Sequence, residues 1–375
     1  MNRYLYDNIK IDLARKMIFL TGPRQIGKTH LARQILSEYS RPQYLDYDAT
    51  DDARIIASRS WSADADILVF DEIHKMKGWK RFLKGVYDTR RPGQAILVAG
   101  SSRMETFRQS GESLAGRYFH YRFQPFSVRE AVELMGANEA LDRLNRLGGF
   151  PEPFLSGSEE EADRWRSRHY ADLIREDIPD FSRVHELRTM RLLLEMLRER
   201  VGLPLSFTGL AGDLQIAPNT VRRYVEILEG LYIVFLVRPF HRNVARAIRK
   251  EPKAYFFDTG LVKGGEGIRL ENTVAVSLQK YASFLQDAVG ETVSLQYLRT
   301  KEKREVDFVL SRDENVTHLI EVKLSEPDPS PHLLYFRNMF PEAVSVQLVR
   351  HLKHERDLSG VSVRAAAPWL RDLAV

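Results

Sequence analysis

The sequence predicts an α/β protein whose N-terminal domain contains a parallel sheet. Three observations support this prediction. Over the first third of the chain, short apolar runs alternate with helical patterns, which is typical of parallel sheets covered by helices on both faces. The middle of the chain is mostly helical and charged, whereas the last third returns to strands in a different order. With 375 residues, the chain is also too long for a single core.

The elements of the first third follow one another in a simple order. Predicted strands lie in KMIFLTG, QYLDYDA, DILVFDE, AILVAGSS and YFHYRFQPF. Helices are predicted from Lys28, through Phe82, and between the fourth and fifth strands. Further on, the glycines and prolines of GGFPEPF, which starts at Gly148, mark a connector. We expect three domains, over residues 1–130, 131–250 and 251–375.

The composition excludes several classes of protein. Cysteine is absent, which excludes disulfide frameworks, thiolate metal sites and cysteine nucleophiles, and suits a reducing compartment. No apolar run approaches the ~20 residues that span a bilayer. We therefore expect a cytoplasmic protein with no membrane partner. The net charge of +5 is compatible with a polyanionic partner.

The segment GPRQIGKT, residues 22–29, fits the phosphate-binding pattern G-x-x-x-x-G-K-[ST]. It follows a predicted strand and precedes a predicted helix, which is the context that this motif needs. The glycines let backbone N–H groups face the phosphates, Lys28 neutralises the β and γ oxygens, and the Thr29 hydroxyl can ligate Mg²⁺. The predicted ligands are ATP and Mg²⁺. The predicted nucleotide-binding residues are Gly22, Pro23, Arg24, Gln25, Ile26, Gly27, Lys28, Thr29, His30 and Asp71.

Polar residues that end two later strands complete this predicted site. The run ILVFDE ends in Asp71, which we expect to hold Mg²⁺ through water, and Glu72, which we expect to polarise the attacking water as a general base. The next strand ends at Ser101 and Ser102, whose hydroxyls could reach the γ-phosphate or that water. An acidic pair that ends a strand is otherwise often just a solvated strand end.

An arginine finger is predicted at Arg117, where the helix that carries ESLAGR ends before the next strand. In ring-forming ATPases, an arginine at this point reaches the nucleotide of the neighbouring subunit and stabilises charge on the transferred phosphoryl group. Arg103 and Arg122 are alternatives, and a plain surface arginine fits each position as well. We expect a homo-oligomer, with a hexameric ring as one form.

Ten short motifs give the chain a resemblance to a known family. They are GPRQIGKT, DEIHK, GSSR, LAGRY, QPFSVREA, GGFPEP, YFFDTGL, RLENTVA, EVDFV and IEVK. This series resembles prokaryotic AAA+ ATPases that carry a C-terminal domain of long-unassigned function. The resemblance spans nearly the whole chain. It implies a P-loop core, a winged-helix middle part and a restriction-endonuclease-like C-terminal part.

The middle of the chain has the pattern of a winged helix. A helix is predicted from Thr208, a turn from Ile216 to Pro218, a second helix with Asn219 as its N-cap, and then a strand. In winged helices the second helix enters the major groove of DNA. The residues expected to face DNA on this helix are Asn219, Thr220, Arg222 and Arg223.

The loop between the next two predicted strands would be the wing. It concentrates positive charge suited to phosphate contacts at Arg242, Arg246, Arg249 and Lys250. Winged helices also serve as ATPase lids or dimerisation modules, and a basic loop can be merely solvated, so these readings stay open.

The C-terminal third has the element order αβββαβ of the restriction-endonuclease core. RLENTVAVSLQKY reads as an amphipathic helix, and strands follow in TVSLQYLRT, EVDFVLSR and THLIEVKLS. Asp307, Glu321 and Lys323 fill the positions of an acid followed by E-x-K, and Glu271 offers a fourth group. The carboxylates of Glu271, Asp307 and Glu321 could hold Mg²⁺ beside Lys323 for phosphodiester cleavage. Alternatively, these are edge charges, or the domain binds DNA without cutting it.

Together, these features predict ATP hydrolysis coupled to binding, remodelling or translocating DNA, with the C-terminal part as a DNA-binding module or nuclease. The alternative is a signalling or regulatory nucleotide switch whose winged helix is a lid or binds protein. Stimulation of ATP hydrolysis by DNA, with a steep salt dependence, distinguishes the first function from the second.

Overall fold

The computed structural model describes residues 3–100, 114–176, 184–241 and 250–375. The chain divides into two compact units, Met1–Gln124 and Pro125–Val375. The first unit therefore ends close to the expected boundary at residue 130. None of the described helices is long and apolar enough to cross a membrane.

The first unit is built on a five-stranded parallel sheet, as predicted. Its strands are β1 Met17–Thr21, β2 Pro42–Asp46, β3 Ile67–Asp71, β4 Ala95–Gly100 and β5 Tyr118–Arg122. Its helices are α1 Tyr6–Leu13, α2 Lys28–Leu36, α3 Thr50–Ser58 and α4 Trp79–Asp88, with a short 3-10 turn at Ile73–Lys75. The strand order is β2-β3-β4-β1-β5. Strands β1, β3 and β4 are buried along their whole length, as expected for a sheet covered on both faces.

The second unit begins with helices. These are α5 Val128–Ala131, α6 Ala137–Leu147, α7 Pro151–Ser156, α8 Glu159–Glu176, α9 Val184–Arg198, α10 Phe207–Leu214 and α11 Pro218–Gly230. Helix α11 begins at Pro218 with Ala217 as its N-cap, so the predicted N-cap at Asn219 is wrong. Proline at the first helical position already has a suitable φ and needs no N–H donor there. The same effect starts α7 at Pro151, so the last four residues of the GGFPEPF connector, Pro151 to Phe154, are helical.

An eight-stranded mixed sheet forms the rest of the second unit. Its strands are β6 Val234–Pro239, β7 Lys253–Phe256, β8 Val293–Arg299, β9 Glu305–Arg312, β10 Asn315–Lys323, β11 Val344–Val349, β12 Arg356–Leu358 and β13 Val361–Ala365. Its helical elements are a 3-10 turn at Thr259–Leu261, α12 Glu266–Phe284, a π-helical turn at Leu285–Val289, α13 Pro331–Met339 and α14 Ala366–Arg371. The predicted order of a helix, three strands, a helix and a strand is confirmed.

The hairpin of the middle part and the C-terminal strands belong to one sheet. The strand order is β12-β13-β11-β10-β9-β8-β6-β7, and β6 joins β8 through Arg238 with Gln296 and Pro239 with Tyr297. The expected domain boundary at residue 250 therefore lies between two strands, β6 and β7, that pair with each other.

Helix α12 is not amphipathic, contrary to the prediction. Every residue from 272 to 278 is buried. The helix contacts strands β7, β8, β9 and β10 and also packs against α6, so it is covered on several sides. Its polar residues are satisfied internally. Asn272, for example, donates to and accepts from the backbone of Phe256 at 2.9 and 2.8 Å.

The GGFPEP and YFFDTGL motifs meet in the interior of the second unit. Asp258 is fully buried, and its Oδ2 lies 2.8 Å from Nε of the buried Arg166. Its Oδ1 accepts the Gly260 N–H at 3.0 Å. A Cβ at Gly148, where φ is 75°, would lie 1.8 Å from Asp258 Oδ1, so no larger residue fits there. These two motifs therefore serve the packing of this unit.

Candidate functional site

The phosphate-binding loop joins the carboxyl end of β1 to α2. Gly22 has a φ of 156°, and a Cβ there would lie 2.2 Å from the carbonyl oxygen of Phe123. Gly27 precedes α2 in the left-handed region, with a φ of 97°. The backbone therefore requires both fixed glycines of the motif.

Lys28 is buried and is held by the loop itself. Its Nζ donates to the carbonyl oxygens of Gly22 at 3.1 Å and Pro23 at 2.7 Å. An ammonium group in this position can exchange carbonyl oxygens for phosphate oxygens when a nucleotide binds. Of the other predicted loop residues, Pro23 and Ile26 are buried, Arg24 is half-buried, and Gln25, Thr29 and His30 are exposed.

Arg3 supports the loop although it lies outside the motif. Its Nη1 donates to the carbonyl oxygen of Ile26 at 3.0 Å, and its Nη2 donates to that of Gln124 at 2.6 Å. The guanidinium also lies 3.9 Å from the centre of the Phe123 ring. No local spacing connects residue 3 with this loop, so the sequence alone gave no signal for it.

Thr29 and Asp71 come together as the motif predicts. The Thr29 hydroxyl donates to Asp71 Oδ2 at 2.9 Å, and Asp71 is buried at the carboxyl end of β3. Strands β1 and β3 both pair with β4, which brings their carboxyl ends to the same edge of the sheet. The hydroxyl and the carboxylate are therefore placed where Mg²⁺ would bind.

Tyr44 is a further residue of this site that the sequence did not reveal. It lies on β2, and its hydroxyl donates to the same Asp71 Oδ2 at 2.6 Å. Burial, followed by this hydrogen bond, raises the pKa of Tyr44, so the hydroxyl stays protonated as a donor. Tyr44 therefore orients the Asp71 carboxylate and acts as a positioning residue.

We expect Tyr44→Phe to weaken Mg²⁺-dependent nucleotide binding about fivefold, because one hydrogen bond contributes on the order of 1 kcal/mol. Binding without Mg²⁺ should stay unchanged. Titration of a fluorescent ATP analogue with and without Mg²⁺ measures both quantities. Tyr47→Phe is the control, since the half-buried Tyr47 packs against the apolar core of this unit. Equal effects of the two substitutions would show that Tyr44 acts only through packing.

Glu72 has the environment of a general base. It has a φ of 53°, a left-handed conformation that is uncommon outside glycine. Its Oε2 lies 3.6 Å from both His74 Nδ1 and Lys75 Nζ. Burial raises the pKa of Glu72, although Lys75 and Lys28 act in the opposite direction. A carboxylate with a raised pKa is a stronger base once it is ionised.

The predicted arginine finger pairs within its own unit in this structure. Arg117 Nε lies 2.7 Å from Asp88 Oδ1, and its Nη2 lies 3.1 Å from Oδ2. These two hydrogen bonds hold the guanidinium beside the end of α4. Ser101, Ser102 and Arg103 lie outside the described residues.

In the second predicted site, in the C-terminal part, each of the three carboxylates has a hydrogen bond or an ion pair to another protein group. Glu271 Oε1 accepts the Tyr255 hydroxyl at 2.7 Å, and Asp307 Oδ2 accepts the Val322 N–H at 2.9 Å. Glu321 Oε1 lies 2.8 Å from Lys323 Nζ. In the parts of the chain that the structure describes, no group of three His, Cys, Asp or Glu side chains is arranged to hold a metal ion.

The carboxylates of this second site nevertheless act on one another. Asp307 precedes Phe308 and Glu321 follows Ile320, and Phe308 pairs with Ile320 across the antiparallel strands β9 and β10. Burial, and then repulsion from Asp307, raises the pKa of both Glu271 and Glu321. The pKa of Asp307 is also raised, mainly by burial. The sequence missed the cation among these acids, Lys253, because it comes from the neighbouring hairpin.

The residues predicted to face DNA lie near the start of α11. Asn219, Arg222 and Arg223 are exposed, and Thr220 is half-buried. Arg222 lies over the ring of Phe207, 4.6 Å from its centre. Lys250 is exposed three residues before β7, whereas Arg242, Arg246 and Arg249 lie outside the described residues.

Three family models match successive parts of the chain. An AAA domain matches residues 14–132, and two domains of unknown function, DUF8612 and DUF4143, match residues 138–270 and 266–364. The uncharacterized protein Rv2008c of Mycobacterium tuberculosis is 28% identical over 303 residues, which cover 78% of this chain and 67% of that protein. The uncharacterized protein MJ1637 of Methanocaldococcus jannaschii is 24% identical over 332 residues, with coverages of 74% and 67%.

Two solved structures illustrate the distant similarity of this chain to known folds. The Walker-type ATPase paby2304 of Pyrococcus abyssi is 15% identical, with a TM-score of 0.44 and coverages of 70% of this chain and 94% of that chain. A RuvB variant of Thermotoga maritima is 16% identical, with a TM-score of 0.28 and coverages of 62% and 86%. The AAA match at residues 14–132 coincides with the parallel sheet, the phosphate-binding loop and the acidic pair. The N-terminal unit is therefore an AAA-type P-loop domain.

Proposed function

We propose that this protein binds ATP with Mg²⁺, hydrolyses the nucleotide, and couples hydrolysis to action on DNA. Binding and hydrolysis of ATP are supported by one observation. Lys28, the Thr29–Asp71 pair and Glu72 all lie in the N-terminal unit, at or next to the phosphate-binding loop and the end of β3. ATP fits these residues because the glycine loop is free of side chains at Gly22 and Gly27, and Lys28 is directed into it.

Each side chain has a defined task in this proposal. Lys28 binds phosphate oxygens, and Thr29 with Asp71 would hold Mg²⁺, which neutralises the charge of the phosphates when bound. Glu72 accepts a proton from the attacking water. His74 Nδ1 and Lys75 Nζ each lie 3.6 Å from Oε2 of the Glu72 carboxylate.

We also propose that Arg117 acts on the nucleotide of a neighbouring subunit in a homo-oligomer. Its guanidinium would then leave Asp88 and approach the phosphates across the subunit contact. Arginine suits this task because its planar group stabilises the charge of a transferred phosphoryl group. The position of Arg117, directly before β5, supports this assignment.

Action on DNA is proposed from the exposed polar face at the start of α11. This helix follows α10 after a short turn and is followed by the β6–β7 hairpin, which is the order of a winged helix. Two arginines and an asparagine are exposed on its first two turns. A nucleotide switch whose helix pair is a lid or binds protein is the second candidate.

We expect duplex, forked or single-stranded DNA to raise the rate of ATP hydrolysis, and Arg222→Glu with Arg223→Glu to abolish that increase. The basal rate should stay unchanged, because these residues lie outside the P-loop unit. Each lost phosphate contact should reduce the slope of the logarithm of DNA affinity against the logarithm of salt concentration by about one unit.

A matched control is Arg188→Glu with Arg191→Glu, which reverses two exposed charges on α9 of the same unit. This pair should retain DNA stimulation. ATP hydrolysis that does not respond to any of the three DNA forms would favour the nucleotide switch.

A further inference from the structure

Lys253 lies beside Glu271 and Glu305, two members of a carboxylate cluster that also includes Asp307 and Glu321. It enters from β7, the second strand of the hairpin, and its side chain is only 1% exposed. Its Nζ lies 2.5 Å from Glu305 Oε1 and 3.8 Å from Glu271 Oε1. It also lies 5.2 Å from the centre of the Tyr297 ring. This buried ammonium group therefore lies near two acids and the Tyr297 ring.

The charges of this cluster depend on one another. A buried ammonium group is costly unless carboxylates surround it, and neighbouring buried carboxylates repel one another unless a cation lies between them. The electrostatic attraction of Glu271, Asp307 and Glu305 raises the pKa of Lys253 despite its burial. Lys253 thus neutralises acids from both α12 and β9.

Each acid of the cluster has at least one oxygen beside a protein donor. Arg299 Nη1 lies 3.1 Å from Glu305 Oε2, and Lys323 Nζ lies 2.8 Å from Glu321 Oε1. In the described part of the chain, these acids are not arranged as a group of three that could hold a metal ion. A divalent ion needs several carboxylate oxygens that are free to approach it. These side chains do not fit such an ion as long as Lys253 is present.

We propose that Lys253 is a built-in cation that takes the place of a divalent metal ion in this carboxylate cluster. The cluster then holds neither Mg²⁺ nor Mn²⁺. Metal-activated water requires an ion with an open coordination position, so the C-terminal part has no metal-dependent route to phosphodiester cleavage at this site. The inference rests on contacts within the second unit and is independent of the proposed ATP hydrolysis.

The test is a titration of nucleotide-free protein with Mn²⁺. Electron paramagnetic resonance measures the concentration of free Mn²⁺ at each step. The parent protein carries Asp71→Asn, which removes the acidic Mg²⁺ ligand of the P-loop domain. We expect this parent to bind no Mn²⁺ at the cluster. Adding Lys253→Met should create about one Mn²⁺ site per chain, because the freed carboxylates then need a cation. Adding Asp307→Asn as well should remove that site.

Lys280→Met in the same parent is the matched control. Lys280 is also fully buried, and the carboxylate that the described residues place beside it is that of Glu130. Its removal should destabilise the protein without creating a Mn²⁺ site, since one acid is too few ligands.

Two results would overturn the inference. The first is a Mn²⁺ site in the parent that Asp307→Asn abolishes, because the cluster would then bind metal despite Lys253. This measurement needs no Lys253 variant and stands even if Lys253→Met does not fold. The second is a folded Lys253→Met protein that binds no Mn²⁺, because the cluster would then not be a cation site.

Discussion

Glu72→Gln should leave ATP bound while lowering its rate of hydrolysis by at least about a hundredfold, as expected for loss of a general base. Glutamine keeps the shape of the side chain but cannot accept the proton of the attacking water. Lys28→Ala should instead abolish nucleotide binding, because Lys28 is the charge that the loop directs at the phosphates. Nucleotide binding by fluorescence and phosphate release, measured on both variants, separate the two effects.

Glu38→Gln is a suitable control for the Glu72 substitution. Glu38 lies just after α2 in the same unit and pairs at the surface with Lys10. The Glu38→Gln protein should hydrolyse ATP at the parent rate. If Glu72→Gln also hydrolysed ATP at the parent rate, another group would have to serve as the base. The assignment of Glu72 would then be wrong, although the nucleotide site itself would stand.

The nucleotide-binding loop could be predicted from the sequence because its chemistry is local. The turn from β1 into α2 needs glycine where φ is positive, and Lys28 and Thr29 occupy the first turn of the helix that follows. Fixed spacing therefore implies fixed geometry. The acidic pair was predictable for a related reason, since it ends a strand that lies two positions from β1 in a parallel sheet.

Tyr44 and Lys253 could not be predicted, because their roles arise from pairing between distant segments. Tyr44 reaches Asp71 only because β2 pairs with β3 in one particular register. Lys253 enters the carboxylate cluster only because β6 adds the hairpin to the edge of the C-terminal strands at Arg238 and Pro239. Neither register is encoded by a local pattern of residues. The sequence therefore showed all the residue types that a metal site needs, but it did not show that Lys253 lies beside them.

The apolar pattern of α12 was misleading for a physical reason. Its buried positions include Asn272, Thr273, Ser277 and Lys280, which read as the polar face of an amphipathic helix. The structure satisfies these groups with internal partners, as when Lys280 Nζ donates to the carbonyl oxygen of Pro125 at 3.0 Å. A polar residue thus marks a solvent-exposed face only where it lacks a buried partner.

The buried pair of Arg166 and Asp258 should dominate the stability of the second unit. We expect Arg166→Met to lower its free energy of unfolding by about 3–5 kcal/mol, because the Asp258 carboxylate would be left buried without its cation. Burial already raises the pKa of Asp258 even with Arg166 present. Adding Asp258→Asn should recover much of the loss, since an amide oxygen can still accept the Gly260 N–H without carrying a charge.

Chemical denaturation of the whole chain measures this effect, with ATP binding as a readout of the first unit. Arg146→Met is the matched control, because Arg146 pairs with Glu159 at 3.0 Å on the surface of the same unit. Solvent screens that pair, so its loss should change stability little. A cost for Arg166→Met no greater than for Arg146→Met would contradict the prediction. If Asp258→Asn made the Arg166→Met protein less stable, the charge of Asp258 would have to stabilise the fold through groups other than Arg166.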